Sequence, residues 1–237
     1  SLSQQYIWQM QQADLTDVGL NSSVVMRFNG KLEPEVDDRG FNQIICRHSI
    51  LRTVFTTDEP ANETIQQILP AVSFSLIYKD LQHLPIDQRE TEAVRLGVDI
   101  GQRPFNLKTA PLVRAALFRL GPQVHWLLIT MHHIVTDGWS FGILLQELDS
   151  LIQVAPQPLP EMSWQYADFA RWQRQVYDET AIAQQLTYWQ QQLAPNQEQS
   201  PQAPPTSKTA HQYFTRFPAA LASAITDWSR AQGVTSF

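Results

Sequence analysis

The stretch from Val124 to Ile152 limits the possible folds more than any other part of the chain. Val124 to Met131 is apolar except at His125 and Thr130, which reads as a buried strand. Ser140 to Ile152 places Phe141, Leu144, Leu145, Leu148 and Ile152 on one helical face. Leu112 to Leu120 precedes Gly121-Pro122-Gln123 and then the apolar stretch, so the two strands read as a hairpin. Around this centre the pattern alternates without an internal repeat. Helices are expected at Ser3 to Ala13, from Glu33-Pro34 through Phe41, Ile44, Ile45, His48 and Leu51, and at Ile86 to Val98. Strands are expected at Leu51 to Thr56 and at Val72 to Lys79, where apolar and polar residues alternate. Val154 to Pro160 reads as a loop between this centre and two tryptophan-rich helices, Trp164 to Tyr177 and Ala181 to Leu193. An exposed Pro- and Gln-rich loop over 194–210, a strand from His211 to Phe217, and a helix from Ala219 to Gln232 capped by Gly233 complete the chain. The mixture predicts an α+β fold, an α/β sandwich in which a mixed β-sheet is covered by helices.

Composition removes several function classes. The 237 residues carry 17 basic and 23 acidic side chains, a net charge of −6, and no basic stripe, which argues against nucleic acid as a partner. Charged residues are only 17%, against about 25% in a typical soluble domain. The difference is made up by 28 glutamines spread along the chain, a neutral polar surface. The single cysteine, Cys46, excludes a disulfide framework and a cysteine-based zinc site, and its place on an apolar-spaced helix predicts a packed, inert thiol. Val124 to Val135 is too short for a bilayer and holds three histidines, and Ser1-Leu2-Ser3-Gln4-Gln5 does not look like a secretory signal. A soluble, cytoplasmic protein with no membrane partner is the expectation.

Chemistry concentrates in Met131-His132-His133-Ile134-Val135-Thr136-Asp137-Gly138-Trp139-Ser140, between the buried strand and the helix. Alternation along an extended chain points His132 and His133 to opposite sides, one toward the core and one toward a cavity. Asp137-Gly138 is a turn signal, and Gly138 permits close backbone approach. The plain alternative is two satisfied buried histidines and a capping aspartate. Metal binding is disfavoured, because His132 and His133 cannot face one ion and His133 with Asp137 gives only two ligands. A serine hydrolase is disfavoured too: there is no G-x-S-x-G elbow, and Ser140 falls inside the helix. A cavity-facing histidine without its own nucleophile suits direct acyl transfer, in which the substrate's amine or hydroxyl attacks a thioester and histidine handles its proton.

This segment resembles the HHxxxDG signature of condensation domains of non-ribosomal peptide synthetases, which share the fold of chloramphenicol acetyltransferase. Ser1-Leu2-Ser3-Gln4-Gln5-Tyr6-Ile7-Trp8 is similar to the family's S-x-A-Q-x-R-L-W, with Tyr6 in place of arginine. Arg47-His48-Ser49-Ile50-Leu51-Arg52-Thr53-Val54-Phe55 resembles R-H-E-x-L-R-T-x-F, with Ser49 for glutamate. Arg103-Pro104-Phe105-Asn106-Leu107 resembles R-P-F-D-L, with Asn106 for aspartate, and Tyr166-Ala167-Asp168-Phe169-Ala170-Arg171-Trp172 matches Y-x-D-F-A-x-W.

The resemblance implies amide bond formation between two thioesters carried on the phosphopantetheine arms of upstream and downstream peptidyl carrier proteins. No cofactor is bound by the domain itself, and an adenylation domain is the expected neighbour. His133 would face the tunnel as base or positioning group for the amine, and His132 would fix the loop. Asp137 would order the loop with an arginine such as Arg47 or Arg52, and Gly138 would give the intermediate room and a backbone N–H. Trp139 would support the loop, and Trp139-Ser140 leans toward chain elongation rather than epimerisation. On this view residues 1–237 are the N-terminal lobe of a two-lobed domain, with Gly233 to Phe237 opening the C-terminal lobe. The alternatives are a catalytically silent module that binds a carrier or recruits a partner, and a free-standing acyltransferase using coenzyme A.

Overall fold

The structure, a computed structural model, describes residues 1–30, 34–58, 63–152, 158–177, 179–193 and 217–235. They belong to two compact units, Ser1–Gln184 and Gln185–Phe237. In chain order the elements are α1 (Leu2–Ala13), β1 (Asn21–Asn29), α2 (Pro34–Arg47), a 3-10 turn (Ser49–Arg52), β2 (Thr53–Asp58), β3 (Glu63–Ile68), β4 (Ile77–Asp80), α3 (Ile86–Gly101), β5 (Val113–Gly121), β6 (Val124–His132), α4 (Gly138–Ile152), α5 (Tyr166–Val176), α6 (Glu179–Leu193) and α7 (Ala219–Gln232). The first unit is the expected α+β arrangement. Its main sheet has the order β1-β6-β5-β4, antiparallel except for the parallel β4–β5 pair, and β2 and β3 form a separate antiparallel pair. Among the described residues, no helix is long and apolar enough to cross a membrane.

The apolar run of β6 is explained by its position. It pairs with β1 on one side and β5 on the other, and both its faces are covered. Leu127, Ile129 and Met131 join Phe41, Ile44 and Ile45 of α2 and Leu144 and Leu148 of α4 in the larger core. Leu128 packs with Ala116 and Phe118 of β5 against Ala93 and Ile100 of α3. Each such buried leucine, isoleucine, phenylalanine or methionine contributes about 1.5–3 kcal/mol, so the strand that leads to the histidines is firmly anchored. Contact between α2 and α4 is close at Gly40, where an added Cβ would lie 2.9 Å from Leu148 Cδ1 and 3.1 Å from Ile152 Cγ2. Gly40→Val is therefore expected to destabilise the protein by about 1–3 kcal/mol through overpacking, read as a lowered urea midpoint with an unchanged slope.

Several expectations are revised. The helical spacing from Pro34 to Leu51 is broken at His48, whose φ of −94° and ψ of 104° are extended, and Ser49–Arg52 forms a 3-10 turn. Val72 to Leu76 keeps the in-and-out alternation of a strand but pairs with none among the described residues, and the strand begins only at Ile77. Side chains of α2 stand in for the missing partner: the Asn42 amide exchanges two hydrogen bonds with the backbone of Phe74, at 3.0 and 3.1 Å, and the Leu76 N–H donates to Asp38 Oδ1 at 2.7 Å. Cys46 is exposed rather than packed, because it falls on the outward side of α2 beside the buried Ile44 and Ile45. In the second unit α7 ends, as expected, at Gly233 with a left-handed φ of 66°. The loop over 194–210, most of the strand expected from His211 to Phe217, and Ser236-Phe237 lie outside the described residues.

Candidate active site

Strand β6 delivers His132 and His133 to the sheet's end with opposite environments. His132 is 1% exposed and both ring nitrogens are used. Its Nδ1 accepts from the Ile134 N–H at 3.1 Å, so the hydrogen sits on Nε2, which donates to Gln11 Oε1 at 2.8 Å. Phe105 stands edge-on to the ring. Burial, helped by the neighbouring His133, pushes the His132 pKa down to about 4. His132 is thus neutral at pH 7 and bound on both sides.

His133 is exposed. Its backbone N–H donates to the Leu20 carbonyl at 2.8 Å, which ties the loop to the start of the sheet. Its Nδ1 lies 2.7 Å from the Thr136 carbonyl oxygen. A carbonyl only accepts, so Nδ1 carries the hydrogen and the Nε2 lone pair is left without a partner among the described residues. The ring lines a cavity of about 320 Å³ together with Asp137, Ser140, Gln4, Ile50 and Tyr166. A fixed imidazole with a free Nε2 in a cavity of this size is equipped to accept a proton from a bound molecule.

Asp137 caps α4. Its Oδ1 accepts from the Ser140 N–H at 2.8 Å and the Ser140 hydroxyl at 2.6 Å. These bonds hold its carboxyl below the usual carboxylate range. Since the Ser140 hydroxyl hydrogen is committed to Asp137, Ser140 is not a free nucleophile. The expected arginine partner of Asp137 is not found among the described residues. Arg47 Nε instead bonds Glu147 Oε1 at 3.0 Å, and the other oxygen of Glu147, a residue with its side chain 14% exposed, meets His48 Nε2 at 2.6 Å. The guanidinium of Arg52 is spent on backbone carbonyls of Ile45, Cys46, Leu69 and Pro70. Both arginines therefore brace the elements behind the loop rather than the aspartate. Trp139 is 85% exposed, and it is its backbone N–H, bonded to Asp137, that meets the loop. Gly138 heads α4 with no neighbour within 4 Å of an added Cβ and no left-handed φ, and it lies outside the cavity lining.

Sequence reasoning missed most of the glutamines that hold the site. Gln11, Gln4 and Gln165 are polar residues in or beside helices, and nothing in their spacing marks them as buried partners. Gln165 Oε1 accepts from both the N–H and the hydroxyl of Ser49, at 3.0 and 2.9 Å, while its Nε2 donates to the Arg47 carbonyl at 3.0 Å. Ser49, one of the three departures from the family pattern, thereby joins the 3-10 turn to the start of α5. Asn106 accepts from the Lys108 N–H at 3.0 Å, a turn bond that aspartate makes equally well, and Tyr6 is 64% exposed.

Comparison with known proteins agrees along the whole chain. The family model described as "Condensation domain" matches residues 1–236. The phosphinothricin tripeptide synthetase PhsC of Streptomyces viridochromogenes is 34% identical over 248 residues, 100% of this chain and 23% of that protein. The malpibaldin synthetase of Mortierella alpina is 33% identical over 249 residues, again 100% of this chain and 4% of that protein. Among solved structures, the first condensation domain of the calcium-dependent antibiotic synthetase in complex with substrate analogue 2a superposes with a TM-score of 0.78 at 20% identity, covering 98% of this chain and 56% of that one. SgcC5 from Streptomyces globisporus gives 0.73 at 23% identity, over 100% of this chain and 56% of that one. The chain thus spans a small part of the synthetases it matches and about half of these solved chains.

Proposed function

The chain belongs to the condensation-domain family, and from that premise we propose that it joins a donor acyl or peptidyl thioester to the amino group of an acceptor aminoacyl thioester, each on a carrier protein. The observation that carries this reading is the free Nε2 of His133 in its cavity, with Nδ1–H held by the Thr136 carbonyl. The acceptor nitrogen attacks the thioester carbonyl carbon and forms the C–N bond. His133 Nε2 takes the proton the nitrogen sheds, and the C–S bond breaks as the tetrahedral intermediate collapses. The same proton passes to the departing thiolate, so amide and free thiol are the products and the imidazole is restored. An imidazole is a suitable acceptor for the proton of an attacking amine at neutral pH.

In the same reading His132 and Asp137 order the loop without moving protons, and Gly138 leaves open space at the head of α4. A second lobe supplies the other wall of the tunnel, a view supported by the chain's spanning 56% of the solved condensation domain. The natural partners are an upstream and a downstream carrier protein and an adjoining adenylation domain.

The test is single-turnover mass spectrometry with the full-length protein and two separately loaded carriers. Amide product is expected to need both carriers and to vanish when the acceptor nitrogen is acetylated beforehand. Carrier binding without product would favour a silent module, and transfer from coenzyme A thioesters that ignores the carriers would favour a free-standing acyltransferase.

A further inference from the structure

His133 faces its cavity only while the loop that follows it keeps its path, and one bond that fixes this path comes from the far end of the sequence. Gln4, in α1, is 4% exposed. Its Nε2 donates to the Ile134 carbonyl at 2.9 Å, and its Oε1 accepts from Gln66 Nε2 in β3 and from the nitrogen of Ser1 at 3.0 Å. Because the Ile134 carbonyl can only accept, the amide must present its nitrogen to the loop, and Gln66 favours the same orientation by donating to the oxygen at the opposite end.

The surroundings make this amide more than a filler. Gln4 lines the His133 cavity and also a larger one, about 550 Å³, whose walls include Gln5, Gln66, Phe55 and Arg174. Its own N–H is held by Ser1 Oγ at 3.3 Å, and Ser1 Oγ is 2.9 Å from the hydroxyl of Tyr166, another residue of the His133 cavity. Beside local bonds, Ile134 N–H to His132 Nδ1, Val135 N–H to the His132 carbonyl and the His133 ring to Thr136, the histidines are held by Leu20 and Gln11, and the Ile134 carbonyl by Gln4. Gln4 ties the Ile134 carbonyl, on the far side of His133 from the buried His132, to α1 and through Gln66 to β3.

We propose that Gln4 is a positioning residue for the condensation reaction: its amide holds the Ile134 carbonyl and so the backbone of His133, while Gln66 and the Ser1 nitrogen occupy the amide's other end. The inference rests on the reading of His133 as the group that receives the amine's proton. A misplacement of about 1 Å at such a group costs up to about 100-fold in rate. A positioning loss falls on kcat and leaves KM nearly unchanged.

Three variants test it. Gln4→Met keeps the length and removes the amide. Gln66→Glu sets a carboxylate against Gln4 Oε1, so the amide turns over and brings oxygen to oxygen at Ile134. Gln66→Met removes only the outer donor. The first two are expected to lower kcat by about 10–100-fold with KM within about threefold, and the third by less than about threefold. A readout that needs no turnover accompanies them: the imidazole ¹⁵N signals of His133 in histidine-labelled chain, assigned by their disappearance in His133→Ala. Gln4→Met is expected to shift them away from the Nδ1–H form while the His132 signals stay. Unchanged kcat and unchanged His133 signals in folded Gln4→Met overturn the proposal. So does a loss of activity that follows only the loss of folded protein. If the unaltered protein makes no amide, or His133→Ala remains active, the functional reading falls, and the nitrogen signals still decide whether Gln4 positions His133.

Discussion

His133→Ala is expected to lower the rate of amide formation between loaded carriers by about 10²–10⁴-fold, the range spanned by loss of a general base. The ring is exposed and, among the described residues, its side chain bonds the Thr136 carbonyl alone, so the fold should be nearly unaffected. Stability and activity therefore separate cleanly in this variant. Circular dichroism and the urea midpoint should match the parent while product per turnover collapses. The loss should appear in kcat, because the imidazole acts on a proton that moves only as the bond forms. Full amide formation by folded His133→Ala would remove His133 from the chemistry.

The second large effect is on stability, and it belongs to the other histidine. An unfolded imidazole takes up a proton near pH ~6.5, whereas His132 in the folded chain does so only near 4. Below pH ~6.5 the unfolded state therefore holds more protons, and stability falls as pH falls until the folded ring titrates as well. Over the full interval this single group removes up to about 3 kcal/mol. His125, also buried with a lowered pKa, adds a loss of the same sign, so the comparison must be made against a variant. His132→Phe removes the titration and leaves Gln11 Oε1 and the Ile134 N–H without their partner. It should cost about 2–4 kcal/mol at pH 7 and show a shallower decline toward pH 4 in urea melts. Parallel curves for parent and variant would show that His132 is not the titrating group.

What the sequence disclosed followed how strongly each element's pattern depends on its own residues. The hairpin, α4 and α7 carry continuous apolar or amphipathic signals with turn residues at their ends, and their bounds came within a few residues. β1 was missed because Asn21-Ser22-Ser23 opens it and the exposed Val25 interrupts its partly buried positions. β3 was missed because Gln66 and Gln67 dilute a short strand that pairs only with β2. Val72 to Leu76 misled in the other direction, since alternation reports which side chains are buried and says nothing about where the backbone bonds go. At the site, the two histidines and the capping aspartate were legible as a motif. Their supports were not, because they are made by glutamines and by a serine whose partners lie 116 or more residues away.

Which imidazole becomes reactive is, in the end, a question of parity along β6. The strand is matched residue for residue from Asn21–His132 to Asn29–Val124 on one flank and from Val113–Met131 to Arg119–His125 on the other, where the register shifts before Gly121–Val124. Sliding it by a single residue would exchange the two rings, putting the solvent-facing one against Gln11 and the buried one in the cavity, and would swap Leu127 and Leu128 between the two cores. The ladder thus acts as a ruler that selects one of two chemically identical side chains. Insertions or deletions in the 121–123 turn should therefore be felt at the far end of the strand, although nothing in that turn touches the site.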